Sequence, residues 1–209
     1  MNPLAIYEDL KEKIIWLEIK PGSTLNLVEL ATAYNVSRNP VTIALTRLEA
    51  EEWVIRTGSH FVASPLTLER VREITEIRLI MEVQACVWAM HRISTEGIKE
   101  LKEIKRTIAG YDSATKNKEI IAMDVRFHRL LYRETQNSQL ENLLNRMLSH
   151  YFRFWLSSPN PINLTSFFQD TMELIQAIES KDEIRVKAAS TAHIKSSLDE
   201  IMGISNVSA

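Results

Sequence analysis

The sequence predicts a mainly α protein in two parts, an N-terminal winged helix-turn-helix and a C-terminal antiparallel bundle of about six helices. Three observations carry this. The 209 residues include only 5 Gly, and no Pro falls between Pro65 and Pro159, which leaves a long stretch without helix breakers. Within that stretch apolar residues recur at helical spacing. Ahead of it, short helical patterns joined by a tight turn are followed by two strand-like pieces around a glycine, the order of a winged helix.

Residues 3–17 form the first predicted helix, with Leu4, Leu10, Ile14 and Leu17 inward and Pro21-Gly22 behind its end. Asn26, with Glu29 three residues later, is a capping-box-like start for a helix carrying Leu27, Leu30, Ala31 and Tyr34. Asn35-Val36 makes the turn. Ser37 caps the next helix, which tolerates Pro40 because a first-turn N–H has no helical partner, and which turns Val41, Ala44, Leu45 and Leu48 inward. Its outer face offers Arg38, Asn39, Thr42, Ile43, Thr46 and Arg47, guanidiniums and short polar groups that suit phosphates and base edges in a major groove. A solvated face or a protein contact is the alternative.

Residues 53–56 and 60–64 are strand-like, joined through Thr57-Gly58-Ser59 as a hairpin or wing. Ser64-Pro65-Leu66-Thr67 is an extended connection, since the residue before a proline avoids the helix and Thr67 can cap the helix after it. Domains are therefore expected over 1–66 and 67–209. Helices are expected over about 68–92, 96–114, 118–135, 139–156, 164–180 and 183–202, with breaks at Asn137-Ser138 and Lys181-Asp182 and a loop over 157–161.

Composition narrows the class. With 45% hydrophobic and 25% charged residues the chain is neither disordered nor fibrous, and no apolar run approaches the ~18 residues of a membrane span. Glu8, Asp9 and Glu12 give the N-terminus no signal-peptide pattern, so a cytoplasmic protein without a membrane partner is expected. Cys86 is the single cysteine, which excludes a disulfide framework and a cysteine-based zinc motif and reads as a small core hydrophobe. Net charge is −2, and residues 1–66 carry six Lys and Arg (Lys11, Lys13, Lys20, Arg38, Arg47, Arg56) against eight acids. Any positive footprint for nucleic acid must be local.

Polar groups on apolar faces carry the chemistry. Asp124 and His128 stand one helical turn apart in a stripe with Ile120, Ile121, Phe127 and Leu131. Asp170 shares a stripe with Phe167, Leu174 and Ile178, and His193 shares one with Val186 and Ala189. A carboxylate facing a core costs several kcal/mol unless a cation or donors meet it. Two carboxylates and two imidazoles from three helices point to a divalent metal. Each alone has a plainer reading: an Asp124–His128 pair, a half-exposed Asp170, an ordinary core histidine at 193. Arg78 also lies on an apolar face, with Val71, Ile74, Ile77, Met81, Ala85 and Trp88. It either takes the carboxylate of a small organic acid beside the metal or pairs with Glu82 one turn away. His150, on the Met147 and Phe154 face, reads as a polar residue at the bundle edge and a reserve ligand.

Pro21-Gly22, Leu25, Leu30-Ala31, Val36-Ser37-Arg38 through Pro40-Val41, Ala44-Leu45, Arg47-Leu48-Glu49, Val54 and Gly58 resemble the winged helix of the GntR family of bacterial transcription regulators. The resemblance implies Arg38 as a DNA contact and Gly58 as the wing turn. Where the family follows Pro-Val with Arg-Glu, this chain has Thr42-Ile43, which removes a positive group used against DNA.

The second half resembles the helical effector domain of the FadR subfamily, the FCD domain, through Glu76-Ile77-Arg78 with Glu82, Asp124 to His128 with Phe127 between, Asn137 with Leu140, Ala177-Ile178 with Asp182, and Ala192-His193. Its metal-binding members use one Asp and three His. Asp124, His128 and His193 match the first, second and fourth of these, and Asp170, behind Gln169, stands at the third. A carboxylate there makes the set harder and moves preference from nickel or copper toward manganese or zinc; zinc, manganese and nickel are the ions expected. The resemblance further implies a small organic acid as effector and a homodimer, whose paired heads would read a near-palindromic operator in double-stranded DNA.

The expected function is thus a transcription regulator whose operator affinity is modulated by a small organic acid bound at or near a metal. The alternative is a metal-dependent enzyme acting on a small carboxylate, with the winged helix as a partner-binding module. Against it, no motif places a separate general base or nucleophile.

Overall fold

The computed structural model describes residues 1–157 and 162–203, without the side chains of Thr165 and Ser166. It divides into two compact units, Met1–Thr67 and Leu68–Ala209.

The first unit runs α1 (Pro3–Ile15), β1 (Thr24–Leu25), α2 (Leu27–Ala33), α3 (Arg38–Ala50), β2 (Val54–Thr57) and β3 (His60–Ala63). Asn2 caps α1 by accepting from the Ala5 N–H, and Pro3 fills the first turn, where no N–H is needed. The inner face of α1 is Ile6, Tyr7, Leu10 and Ile14, whereas Leu4, expected inward, is 48% exposed. Six residues before Leu10 is roughly one and two-thirds turns, which carries Leu4 to the outer side. The helix ends before Leu17, which adopts φ 59°. Asn26 accepts from the Val28 and Glu29 N–H groups and donates to Glu29 Oε1 at 3.1 Å, so the capping arrangement is reciprocal. Ser37 occupies the N-cap of α3, and Val41, Ala44, Leu45 and Leu48 point into the core.

The sheet order is β1-β3-β2, antiparallel throughout, with Thr57 opposite His60 and the turn between them made at Gly58, φ 61°. β1 is not legible in the sequence: its two residues pair with Val62 and Phe61, and a strand that short has no periodicity. Trp53, Phe61 and Ala63 complete the core with the α1 and α3 residues. Burying each large apolar side chain there contributes about 1.5–3 kcal/mol.

The second unit holds α4 (Leu68–Arg92), α5 (Thr95–Ala109), α6 (Asn117–Glu134), α7 (Ser138–Ser157), α8 (Leu164–Ser180) and α9 (Glu183–Ile201), the helical bundle the sequence predicts. α5 stops earlier than its pattern suggests. Gly110 comes directly after it, and Asp112 accepts from the Ala114 N–H at 2.9 Å, an Asx-type turn that competes with the helix. α4 packs against α6, α7 and α9 and touches α8, with α8 against α9 and α6 against α7, so α4 is the helix most of the others gather around. Cys86, on α4, is buried and free. Ser157 closes α7, and residues 158–161 of the expected loop lie outside the described residues. Among the described residues no helix is long and apolar enough to cross a membrane.

Candidate metal centre and nucleic-acid interface

Helical spacing assembles the interior site. α4 supplies Arg78 and Glu82, one turn apart and each 1% exposed, and α6 supplies Asp124, His128 and Tyr132 on successive turns. α9 adds His193, also buried. The Arg78 guanidinium donates to Glu82 twice, Nε to Oε2 at 2.7 Å and Nη2 to Oε1 at 3.1 Å, and lies over the Tyr151 ring, 4.3 Å from its centroid. Tyr132 donates its hydroxyl to Glu82 Oε2 at 2.9 Å. The same carboxylate reaches His128, with Oε1 3.0 Å from Nδ1.

Those contacts settle which nitrogen of His128 faces the interior. Nδ1–H donates to Glu82, which leaves the lone pair on Nε2. Nε2 in turn faces His193 Nε2 at 3.1 Å and Asp124 Oδ1 at 3.6 Å. Since His128 Nε2 has no proton, His193 Nε2–H is the donor between the two rings, and His193 Nδ1 accepts from Thr171 Oγ1 at 3.5 Å, a long contact. Asp124, His128 and His193 offer ligand atoms that all lie within 4.8 Å of one another.

A divalent ion suits this set on three counts. Two imidazole nitrogens bound to one ion at about 2.0–2.1 Å stand about 3 Å apart, the spacing of the two Nε2 atoms. Asp124 Oδ1 is buried without a hydrogen-bond partner among the described residues, an orphaned acceptor that a cation would satisfy. Glu82 backs His128 as carboxylates back metal-bound histidines generally. Electrostatics agree with the geometry. Burial raises the Asp124 carboxyl above its usual range, against the lowering pull of His128 and Arg78. Burial, and the neighbouring His128, push the His193 imidazole down to about 3, so it stays neutral and able to ligate. Burial alone would raise Glu82, but the Arg78 charge and the hydrogen bonds from Arg78 and His128 override it and hold the carboxyl well below its usual range.

Asp170 stands outside the trio. It lies half-buried on α8, lining a polar pocket with Asp124, Phe167, His193, Ser196, Ser197 and Glu200, while Thr171, one residue later and fully buried, is the α8 residue that contacts His193. Its charge acts on His193 in the raising direction, more weakly than the burial and neighbouring charges that lower it. Arg78, expected to receive a ligand carboxylate, holds Glu82 instead through two donors, and its Nη1 is buried without a partner among the described residues. His150, expected at the bundle edge, is buried and is not part of the trio. Sequence reasoning places Glu82 only as an alternative partner for Arg78 and misses Tyr132 and Thr171. The signal for Glu82 is its spacing from Arg78 on a buried face, and that for Tyr132 is its place one turn after His128; nothing local marks Thr171.

In the first unit, the face of α3 opposite its buried residues presents Asn39, Ile43 and Thr46, all exposed, flanked by Arg38 and Arg47. The Thr42 hydroxyl donates to the Arg38 carbonyl at 3.0 Å. Arg47 is drawn toward α1, its guanidinium 4.0 Å from the Tyr7 ring centroid and 3.6 Å from Glu51. Arg56 on the wing pairs with Glu49 at 3.1 Å and lies over Phe61, while Lys11 pairs with Glu51 and Lys13 with Asp9, each at 2.7 Å.

Both units have counterparts among known proteins. Residues 3–59 match the family model "Bacterial regulatory proteins, gntR family", and residues 73–196 match the FCD domain. The Nta operon transcriptional regulator of Aminobacter aminovorans is 30% identical over 197 residues, covering 88% of this chain and 87% of its own length. An uncharacterized HTH-type transcriptional regulator of Bacillus subtilis, YdhC, is 27% identical over 194 residues, covering 91% and 86%. Among solved structures, E. coli McbR/YncC shares the fold with a TM-score of 0.79 at 20% identity, over 98% of each chain.

Proposed function

The chain belongs to the GntR family, with an FCD domain behind its winged helix, and on that premise we propose that it regulates transcription by binding a near-palindromic operator as a homodimer, under the control of a divalent metal and a small organic acid. Its domains and relatives are those of DNA-binding regulators of transcription, not of enzymes. α3 is the element that would enter the major groove, with Arg38, Asn39, Thr42 and Thr46 as contacts, Arg47 joining them on release from Tyr7 and Glu51, and Gly58 at the tip of the wing. DNA as partner makes the cytoplasm the place of action.

In the helical unit, Asp124, His128 and His193 would hold zinc, manganese or nickel, with Asp170, which lines the same pocket as Asp124 and His193, as the fourth ligand and second carboxylate. When bound, the ion supplies a Lewis-acidic centre with positions open to an oxygen donor. The observation that carries the reading is a pair of orphaned buried atoms of opposite charge, Asp124 Oδ1 and Arg78 Nη1. One wants a cation and the other an anion, as a metal-bound carboxylic acid would provide. Such ligands alter operator affinity only to the extent that they favour one arrangement of the paired heads over another, typically by about 1–3 kcal/mol. The homodimer is supported by Ile77 and Ile80 on the outer side of α4, Ile80 being 78% exposed.

Fluorescence anisotropy on duplex selected from a random library tests the reading. Manganese or zinc plus at least one small acid shifts the operator Kd by fivefold or more, and Asp124→Ala abolishes the shift. Equal Kd under every metal and acid combination would remove the sensing function while leaving DNA binding in place.

A further inference from the structure

The outward line of α3 is unusual for a surface that meets a polyanion. Asn39, Ile43 and Thr46 fall at i, i+4 and i+7, directly opposite Val41, Ala44, Leu45 and Leu48. Ile43 lies in the middle of that line and is 49% exposed. Neither cation of the helix lies on it: Arg38 is on one flank, and Arg47 on the other is turned to Tyr7 and Glu51. The residue ahead of Ile43, Thr42, has its hydroxyl engaged by the Arg38 carbonyl.

Base edges differ in what they offer such a line. Guanine shows two acceptors in the major groove, which bidentate Arg or Lys reads, and the outward line has neither. Thymine shows a C5-methyl, the apolar group that the major groove presents, and adenine shows an acceptor and a donor side by side, matched by the amide of Asn. A β-branched isoleucine has a stiff side chain, so it meets a methyl with little further loss of rotamer freedom.

We infer that Ile43 is a specificity-determining residue that reads a thymine methyl in each operator half-site, with Asn39 set one turn earlier for an adjacent adenine. The inference rests on α3 being the element in the major groove. Half-sites chosen by this protein are therefore A·T pairs at the centre of the α3 footprint, and the methyl itself, rather than the hydrogen-bonding pattern of thymine, carries the selection there.

The test uses the full-length protein and a random-sequence duplex library at low salt. In the enriched duplex each thymine is replaced by deoxyuridine, which deletes the methyl and leaves every hydrogen-bonding group. One replacement per half-site removes two methyls from the operator of the dimer and weakens binding by about 15-fold, roughly fourfold for each buried methyl-sized group. Ile43→Ala, a surface change checked for native circular dichroism, binds the parent duplex more weakly by a similar factor and is indifferent to that same replacement. Wild-type affinity insensitive to deoxyuridine at every position, or an equal penalty in Ile43→Ala, would overturn the inference while leaving α3 as the reading element. A library that yields no enriched sequence would overturn the major-groove reading beneath it as well.

Discussion

Glu82→Gln probes the interior network at the atom where its parts meet. The carboxylate accepts from Arg78 at 2.7 and 3.1 Å and from Tyr132 at 2.9 Å, and its Oε1 lies 3.0 Å from His128 Nδ1. Glutamine keeps the shape and one acceptor but turns an NH2 group toward one of these donors. Arg78 then has a buried charge without its counter-charge, a loss of about 3–5 kcal/mol for breaking a buried pair from one side. A domain stable by roughly 5–15 kcal/mol survives this, but with a visibly lower urea midpoint. His128 loses the acceptor that fixes its tautomer, and metal affinity falls by about 10–100-fold, as for other carboxylates behind metal-bound histidines. Urea titration of metal-free protein and calorimetric titration with zinc or manganese read the two effects separately. Tyr132→Phe is the mild companion: it removes one donor to Glu82, costs about 1 kcal/mol and changes metal affinity by less than about threefold. A folded Glu82→Gln variant that binds metal within twofold of the wild type would refute the link between Glu82 and the centre.

Salt, acid and the outer face of α4 offer three more perturbations. In the first unit four of the six cations already have ion-pair partners, which leaves Lys20 and Arg38 without a described one, so log Kd against log salt on DNA should have a slope nearer 4 than 10 for a dimer, on the order of 0.9 per neutralised phosphate. A slope steeper than about 7 would mean that the surface pairs open on binding. Burial holds His193 neutral down to about 3, so between pH 6.5 and 3 the unfolded chain binds more protons at that group than the folded one. Metal-free stability should fall with acidification from pH 7 to 5, by up to about 1.4 kcal/mol per unit from His193, with the raised Asp124 carboxyl working the other way. In an Asp124→Asn background, where the opposing carboxyl is gone, a urea midpoint flat or rising over that interval would contradict the burial of a neutral imidazole. Ile80→Asp should convert the dimer to monomer in sedimentation at micromolar protein, and an unchanged dimer would place the interface elsewhere.

How far the sequence can be read depends on the range of the signal. Capping residues and breaker-free helical periodicity are local, and they yield all six bundle helices and the helix-turn-helix. Errors come where angle matters: Leu4 and Leu10 share a hydrophobic character but not a face. A helix turns about 100° per residue, so a stripe drawn from a few apolar positions tolerates a one-residue slip. On α8 the direct contact falls one residue later: Thr171 meets His193, while Asp170 lines the pocket beside it. Arg78 and Glu82 are readable as an i, i+4 pair, but the 3.0 Å contact from Glu82 to His128 joins two helices whose relative rotation is set by packing. No spacing within either helix encodes it.

Metal stoichiometry measures most directly whether Asp124, His128 and His193 hold an ion. Full-length protein dialysed against zinc or manganese and then against metal-free buffer without chelator should retain about one ion per chain by elemental mass spectrometry. Asp124→Ala and His193→Ala, folded by circular dichroism, should each retain almost none. Equal metal content in the wild type and both variants, or none in any of them, would contradict the account.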